Sequence, residues 1–164
     1  MKFTQALHTL RWEGPLGPML LAASDSGIAG IWFEGQRHMP DTRGWTLKDT
    51  HPLLTQAVAQ LQDYFAGRRA GFDLPLDLSA GTGFQQGVWR ALLGVPHGRT
   101  TTYGELGRLL GRERGMRAVG AAVGRNPVSV VVPCHRVLGK DGSLTGYAGG
   151  LERKDALLRL EGAA

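Results

Sequence analysis

Apolar positions in the first third of the chain come in short runs cut by turn-forming residues. Residues 7–11, 19–23 and 28–33 are such runs, separated by Gly14-Pro15-Leu16-Gly17-Pro18 and by Asp25-Ser26-Gly27. Short β-type segments with turn chemistry between them predict an antiparallel meander. The period then changes. Leu53, Leu54, Ala57, Val58, Leu61, Tyr64 and Phe65 recur at helical spacing, with Pro52 suited to the first turn and Gly67 to the stop, which predicts an amphipathic helix over Pro52–Phe65. Between Gly71 and Gly83 the pattern loosens around Pro75, Ser79, Gly81 and Thr82, and this stretch reads as a linker. The expected division is an N-terminal α/β unit over residues 1–80 and a C-terminal unit over residues 81–164.

The second unit opens with a capping-box pattern, Thr82 followed three residues later by Gln85, with Phe84, Val88, Trp89, Leu92 and Leu93 on one face and a stop at Gly94 before Pro96. A second such pattern, Thr102 with Glu105, starts a helix over residues 103–110. A polar break at residues 111–115 separates it from another over residues 116–124. Two short helices joined by a tight turn predict a helix-turn-helix. The second carries Ala118, Gly120, Ala121, Ala122 and Gly124, whose small side chains suit close packing either on another helix or on an external partner. After Asn126-Pro127, the run Val128-Ser129-Val130-Val131-Val132 is β-branched and nearly all apolar, which predicts a strand buried on both faces. It leads into Pro133-Cys134-His135-Arg136-Val137, a glycine-rich loop over residues 139–150, and a last helix from Leu151 to about Glu161.

Composition narrows the class. With 164 residues and 42% hydrophobic content the chain can bury a real core. No stretch of eighteen apolar residues appears, nor an apolar run of signal-peptide length behind a basic start, so a cytoplasmic protein outside the membrane is expected. The single cysteine excludes an internal disulfide, and no paired metal-ligand spacing is present. The net charge of +5 is uneven: residues 1–80 carry seven basic and eight acidic side chains, residues 81–164 twelve basic and six acidic. Arg99, Arg108, Arg112, Arg114, Arg117 and Arg125 stand against only Glu105 and Glu113 between them. Such a stretch suits contact with a polyanion, although a solvated basic surface gives the same count.

Cys134 on its own reads most simply as a buried core thiol. Its neighbours His135 and Arg136 place a titratable base and a cation within two residues, a setting that lowers a thiol pKa. On an extended chain adjacent side chains point to opposite faces, so His135 reaches the sulfur only through a turn or a bridging water. Glu161 follows Leu157 by four residues and Leu158 by three, which puts it on their inward stripe. There it needs a partner, and His135 fits: a carboxylate on one ring nitrogen frees the other to accept a proton from the thiol. A helix-end glutamate turned to solvent is the alternative.

Pro133-Cys134-His135-Arg136-Val137, with Asn126-Pro127 before it and Gly146-Tyr147-Ala148-Gly149-Gly150-Leu151 after it, closely resembles the active-site signature of the alkylguanine-DNA alkyltransferases, the methylated-DNA–protein-cysteine methyltransferase family. The resemblance spans about residues 84–162, while the N-terminal half offers only Gly14-Pro15-Leu16-Gly17. It implies a ribonuclease-H-like α/β domain followed by a mostly helical domain with a winged-helix-like helix-turn-helix. It implies transfer of an alkyl group from the exocyclic oxygen of guanine, and more weakly of thymine, to Cys134, irreversibly and once per molecule.

Position by position, Cys134 matches the alkyl acceptor, His135 the base that reaches it through water, and Glu161 the carboxylate that orients the histidine. Tyr103 matches the tyrosine that helps rotate the nucleotide and protonates the departing base. Arg117 matches the residue that fills the vacated stack, with Thr102, Ala118, Ala121 and Ala122 facing the DNA. Asn126 matches a hinge, and Val137, Tyr147, Ala148 and Gly149 the base pocket. The implied partner is double-stranded DNA, entered through the minor groove with the alkylguanine flipped, by a monomer that can bind cooperatively. No cofactor is implied. Two departures matter: the N-terminal cysteines that hold zinc in some members are absent, so no zinc is expected, and Ala148 stands where some members have a serine. Gly149 would leave the pocket mouth open, implying acceptance of groups larger than methyl. A non-enzymatic binder of alkylated DNA, a cysteine hydrolase drawing on His8, His38, His51 or His97, and a plain helix-turn-helix regulator are the competing readings.

Overall fold

The computed structural model describes residues 1–164. Three strands form the meander that the turns dictate: β1 (His8–Gly14), β2 (Gly17–Ser24) and β3 (Gly27–Phe33), antiparallel in sequence order. The pattern did not predict β4 (Thr46–Leu47), a two-residue strand that pairs parallel to β1 and gives the order β3-β2-β1-β4. Helix α1 (Pro52–Phe65) lies on one face of the sheet and buries Leu54, Ala57, Leu61 and Tyr64. Its first turn is capped by His51, whose ring nitrogen accepts from the Leu53 N–H at 3.2 Å, with Pro52 behind it. On the opposite face Leu7, Ala22, Ala29 and Trp32 form a smaller cluster covered by Phe3, Met39 and Trp45.

All seven residues of β3 are buried, because its outer edge is covered. The stretch read as a linker is pinned there: Ile28 N–H donates to Pro75 O, and Asp77 N–H to Ile28 O, both at 2.8 Å. One turn further along the same edge, Ile31 N–H donates to Pro127 O and Ser129 N–H to Ile31 O, at 2.8 and 2.9 Å. The segment that leads to Cys134 is therefore seated on the N-terminal sheet.

In the second half, α2 (Gly83–Leu92) opens with a complete capping box between Thr82 and Gln85. Next come β5 (Thr101–Thr102), α3 (Tyr103–Leu109) and α4 (Met116–Gly124). Thr102 caps α3 through Glu105 N–H, but the Glu105 carboxylate turns to Arg108, so only half of the second box forms. Gly107 lets the two helices close on each other, since a Cβ there would meet Met116 Sδ at 3.0 Å. Trp89 Nε1–H donates to Ala122 O at 2.8 Å and joins α2 to α4. Strand β6 (Val137–Leu138) pairs parallel to β5, and α5 (Leu151–Leu160) ends the fold. One apolar cluster of 27 residues runs from Leu10 and Leu21 through Trp89 and Val119 to Cys134, so the two halves share a core. No helix is long and apolar enough to cross a membrane.

The expected strand at residues 128–132 does not form. Only Val128 bridges the sheet, opposite Ile31, and the chain then coils through tight turns: Val131 N–H donates to Ser129 O and Val132 N–H to Val128 O, each at 2.9 Å. Val130 sits at φ 73°, a conformation that costs a β-branched residue on the order of 1–3 kcal/mol. The apolar run is buried as predicted, but as a coil that satisfies its own backbone.

Candidate active site

That coil ends in a single 3-10 turn over Cys134–Arg136, which supplies the bend an extended chain lacked. Cys134 is 6% exposed and its Sγ accepts from Asn126 Nδ2–H at 3.1 Å. The same amide donates to Val132 O at 2.7 Å, and Asn126 Oδ1 accepts from Val128 N–H at 2.9 Å. Asn126 thus ties the end of α4 to the coil and to the sulfur. Burial pushes the thiol up to about 11, against smaller downward pulls from the Asn126 bond and the Lys154 charge. This corrects the expectation of a lowered thiol pKa: His135 Nε2 and the Arg136 guanidinium are spent on a carboxylate, and desolvation of the sulfur wins.

That carboxylate is Glu161, 5% exposed at the end of α5. His135 Nε2 lies 2.8 Å from Oε2, Arg136 donates through Nε to Oε1 and Nη2 to Oε2, both at 2.8 Å, and Tyr64 O–H donates to Oε2. Burial raises the Glu161 carboxyl, but the bonds from His135, Arg136 and Tyr64 outweigh it and hold it well below the usual range. Burial lowers His135 and outweighs Glu161, so the ring is neutral at neutral pH. An ionised carboxylate only accepts, so the single ring proton lies on Nε2. Nδ1 therefore carries a lone pair, and it is buried without a protein partner.

Because folding depresses the Glu161 pKa, the stability this gives is complete above the ordinary value of about 4.3 and is lost as pH falls through the folded value. Thermal melts from pH 7 down to pH 2 should show Tm falling below about pH 4.5. The fall should be shallower in Glu161→Gln.

A cavity of about 260 Å³ opens on the sulfur, below the roughly 300–1,000 Å³ of sites for drug-sized ligands and suited to a single ring system. Tyr103 from α3, Gly120 and Ala121 from α4, and Gly146, Tyr147 and Ala148 from the loop line it with Cys134. Tyr103 is half-buried, and burial raises its phenol. Tyr147 is buried, its hydroxyl lacking a protein partner.

Several expected positions fall elsewhere. Gly149 does not line the cavity: a Cβ there would meet the Tyr147 ring at 2.7 Å and Phe33 at 3.0 Å, so its glycine serves loop packing and gives no ground for accepting larger groups. Val137 is fully buried in β6, paired with Thr101, and does not touch the cavity. Ala122 faces the core, whereas Arg117, Ala118 and Ala121 form the exposed face of α4. Thr102 is half-buried and spends its hydroxyl on the cap.

Other residues were not anticipated. Arg37 and His38, from the loop after β3, line the cavity with Arg125, and the Arg37 N–H donates to Ala148 O at 3.0 Å. Lys154, fully buried on α5, donates to Val137 O at 2.6 Å and Thr145 O at 2.7 Å, and burial lowers it to about 8. Arg153 donates to Leu16 O and Gly149 O at 2.9 and 3.0 Å and lies over the Phe33 ring. Two cations thus hold the glycine-rich loop, one against β6 and one against the β1–β2 turn.

Two family models match this chain. Residues 83–163 match the family model described as 6-O-methylguanine DNA methyltransferase, DNA binding domain, and residues 8–78 the one described as 6-O-methylguanine DNA methyltransferase, ribonuclease-like domain. The methylated-DNA–protein-cysteine methyltransferase of Mycobacterium bovis is 45% identical over 94% of this chain and 92% of its own. That of Methanosarcina acetivorans is 43% identical over 93% and 96%. The crystal structure of Mycobacterium tuberculosis OGT in complex with DNA superposes with a TM-score of 0.88 at 44% identity, covering 95% of this chain and 93% of that one.

Proposed function

The chain belongs to the 6-O-methylguanine DNA methyltransferase family, and we propose that it repairs DNA by moving the alkyl group of an O6-alkylated guanine onto Sγ of Cys134. One observation carries this reading: the chain's only thiol lines a cavity of single-base size, beside a neutral histidine whose free ring nitrogen has no protein partner. Residues 1–80 act as the scaffold and residues 81–164 as the DNA-binding and acceptor unit. The protein works in the cytoplasm as a monomer that can line up along DNA.

The chemistry is an in-line displacement at carbon. A water between Sγ and His135 Nδ1 carries the thiol proton to the imidazole, and ionised Glu161 stabilises the imidazolium. The sulfur bonds to the alkyl carbon as the carbon–oxygen bond breaks, and the electron pair stays on the guanine oxygen. Tyr103 protonates the departing base and is re-protonated in turn, so the thiol hydrogen ends on guanine. A resting thiol at about 11 is protonated at neutral pH, so the relay has a proton to remove. The thioether formed is a poor leaving group, and no second thiol is present to remove it. Lesions repaired should therefore equal protein molecules present. Catalytic turnover beyond that number would refute the reading.

Arg117, Ala118 and Ala121 form the face that enters the minor groove, with Arg117 filling the stack left by the flipped nucleotide. Arg117→Ala should slow transfer from duplex DNA about tenfold or more, since each 1.4 kcal/mol of offset lost is a factor of ten. Transfer from the free alkylated base should be unchanged, because no stack has to be filled there. Rates on the two substrates decide it.

A further inference from the structure

We propose that Tyr64, on the N-terminal helix α1, is a positioning residue that keeps His135 a neutral base by sharing the carboxylate oxygen of Glu161. The claim rests on the reading of His135 as the base. Three donors converge on one atom: Tyr64 O–H, His135 Nε2–H and Arg136 Nη2–H all point to Glu161 Oε2, while Oε1 takes Arg136 Nε–H alone. Negative charge drawn toward the phenol and the guanidinium is not available to hold an imidazolium. Tyr64 does this as a neutral group. It is 1% exposed, its ring is packed by Phe65, Phe72 and His97, and burial, with Glu161 beside it, keeps the phenol protonated at any working pH.

The groups facing His135 act in two senses. Glu161 of α5 favours the charged ring, whereas Lys154 of α5 and Arg136 of the same turn oppose it. Cys134 adjoins it, and Tyr64 acts only through Glu161, with His97 edge-on to the phenol. Tyr64 is thus a neutral contribution that weakens the pull of the carboxylate. It comes from 97 residues away and gives the N-terminal half a part in the chemistry beyond support.

Tyr64→Phe keeps the ring and removes the donor. The alkyl-transfer rate of the full chain, followed from pH 5 to 9, should show its acidic limb moved up by about one pH unit, the scale of losing one hydrogen bond to a charged group. Transfer near the foot of the limb should fall about tenfold, with little change on the alkaline plateau. Nitrogen NMR of the His135 ring, without substrate, should show its titration moved by the same amount in the same direction. A profile lowered evenly at every pH, or an unmoved His135 titration, overturns the proposal. If the parent transfers no alkyl group, the functional reading fails instead, and the ring titration still decides what Tyr64 does to His135. Should Tyr64→Phe not fold, 3,5-difluorotyrosine at position 64, a stronger donor of similar shape, should move the limb and the titration to lower pH. No movement in either overturns the proposal.

Discussion

Cys134→Ser leaves the fold and DNA binding intact and abolishes alkyl transfer, a loss of roughly 10⁴-fold or more, on the scale of removing a catalytic nucleophile. The substitution exchanges one small atom for another at a site that is 6% exposed, so packing changes little. Asn126 Nδ2–H, which donates to Sγ at 3.1 Å, can donate to a hydroxyl as well. What is lost is the polarisable sulfur. A serine hydroxyl is far harder to deprotonate than a thiol, and the one base available is a neutral imidazole. Rates of lesion loss beside DNA affinity for parent and variant separate chemistry from binding. A variant that strips lesions at more than a few per cent of the parent rate contradicts the role given to Cys134.

The second large effect is at Glu161. Its side chain is fully enclosed and accepts from His135, Arg136 and Tyr64 at once. Glu161→Ala leaves the Arg136 cation without its counterion and four donor groups, on Tyr64, His135 and Arg136, without their acceptor. Removing one partner of a buried ion pair costs about 3–5 kcal/mol. For a chain of this size that lowers Tm by roughly 10 °C. Alkyl transfer falls further than stability explains, by about 10²–10⁴-fold, because the His135 tautomer is no longer fixed with its proton on Nε2. Thermal melts and transfer rates below the variant's Tm report the two parts. A fully folded variant with parental rates would remove Glu161 from the relay.

How much of this the chain announces depends on the range over which each signal acts. Local period and flanking breakers carry α1 and α4: Pro52 and Gly67 bound the first, and the polar break at residues 111–115 and Asn126-Pro127 bound the second. Glu161 is legible because helical spacing places it on the stripe of Leu157 and Leu158, and both are buried. The coil at residues 128–133 is not. An unbroken apolar run reports burial without reporting conformation, and Val130 takes a left-handed backbone that no β-branched residue advertises. The small residues of α4 were ambiguous for the same reason: Ala122 serves Trp89 while Ala118 and Ala121 face outward, and only the helix's neighbours decide which.

Long-range partners left no local trace. Tyr64 counts in the sequence as one apolar position of α1, yet its hydroxyl reaches the carboxylate beside the base. Lys154 looks like a surface charge on a polar helix and is instead fully buried beneath the glycine-rich loop. Arg37 and His38 lie in a loop without periodicity and enter the cavity only because β3 delivers them there. The sulfur shows the same limit in its chemistry: neighbours in sequence suggested activation, and the folded turn that points them at Glu161 leaves a protonated thiol at rest.

The most direct test is to treat the protein with duplex DNA carrying an O6-methylguanine, weigh the intact chain and map the modified peptide. The expected product is a chain heavier by one methyl group, carried on Cys134, with unmodified guanine restored in the DNA. Guanine restored with no gain in protein mass, or a methyl group found on any other residue, would contradict it.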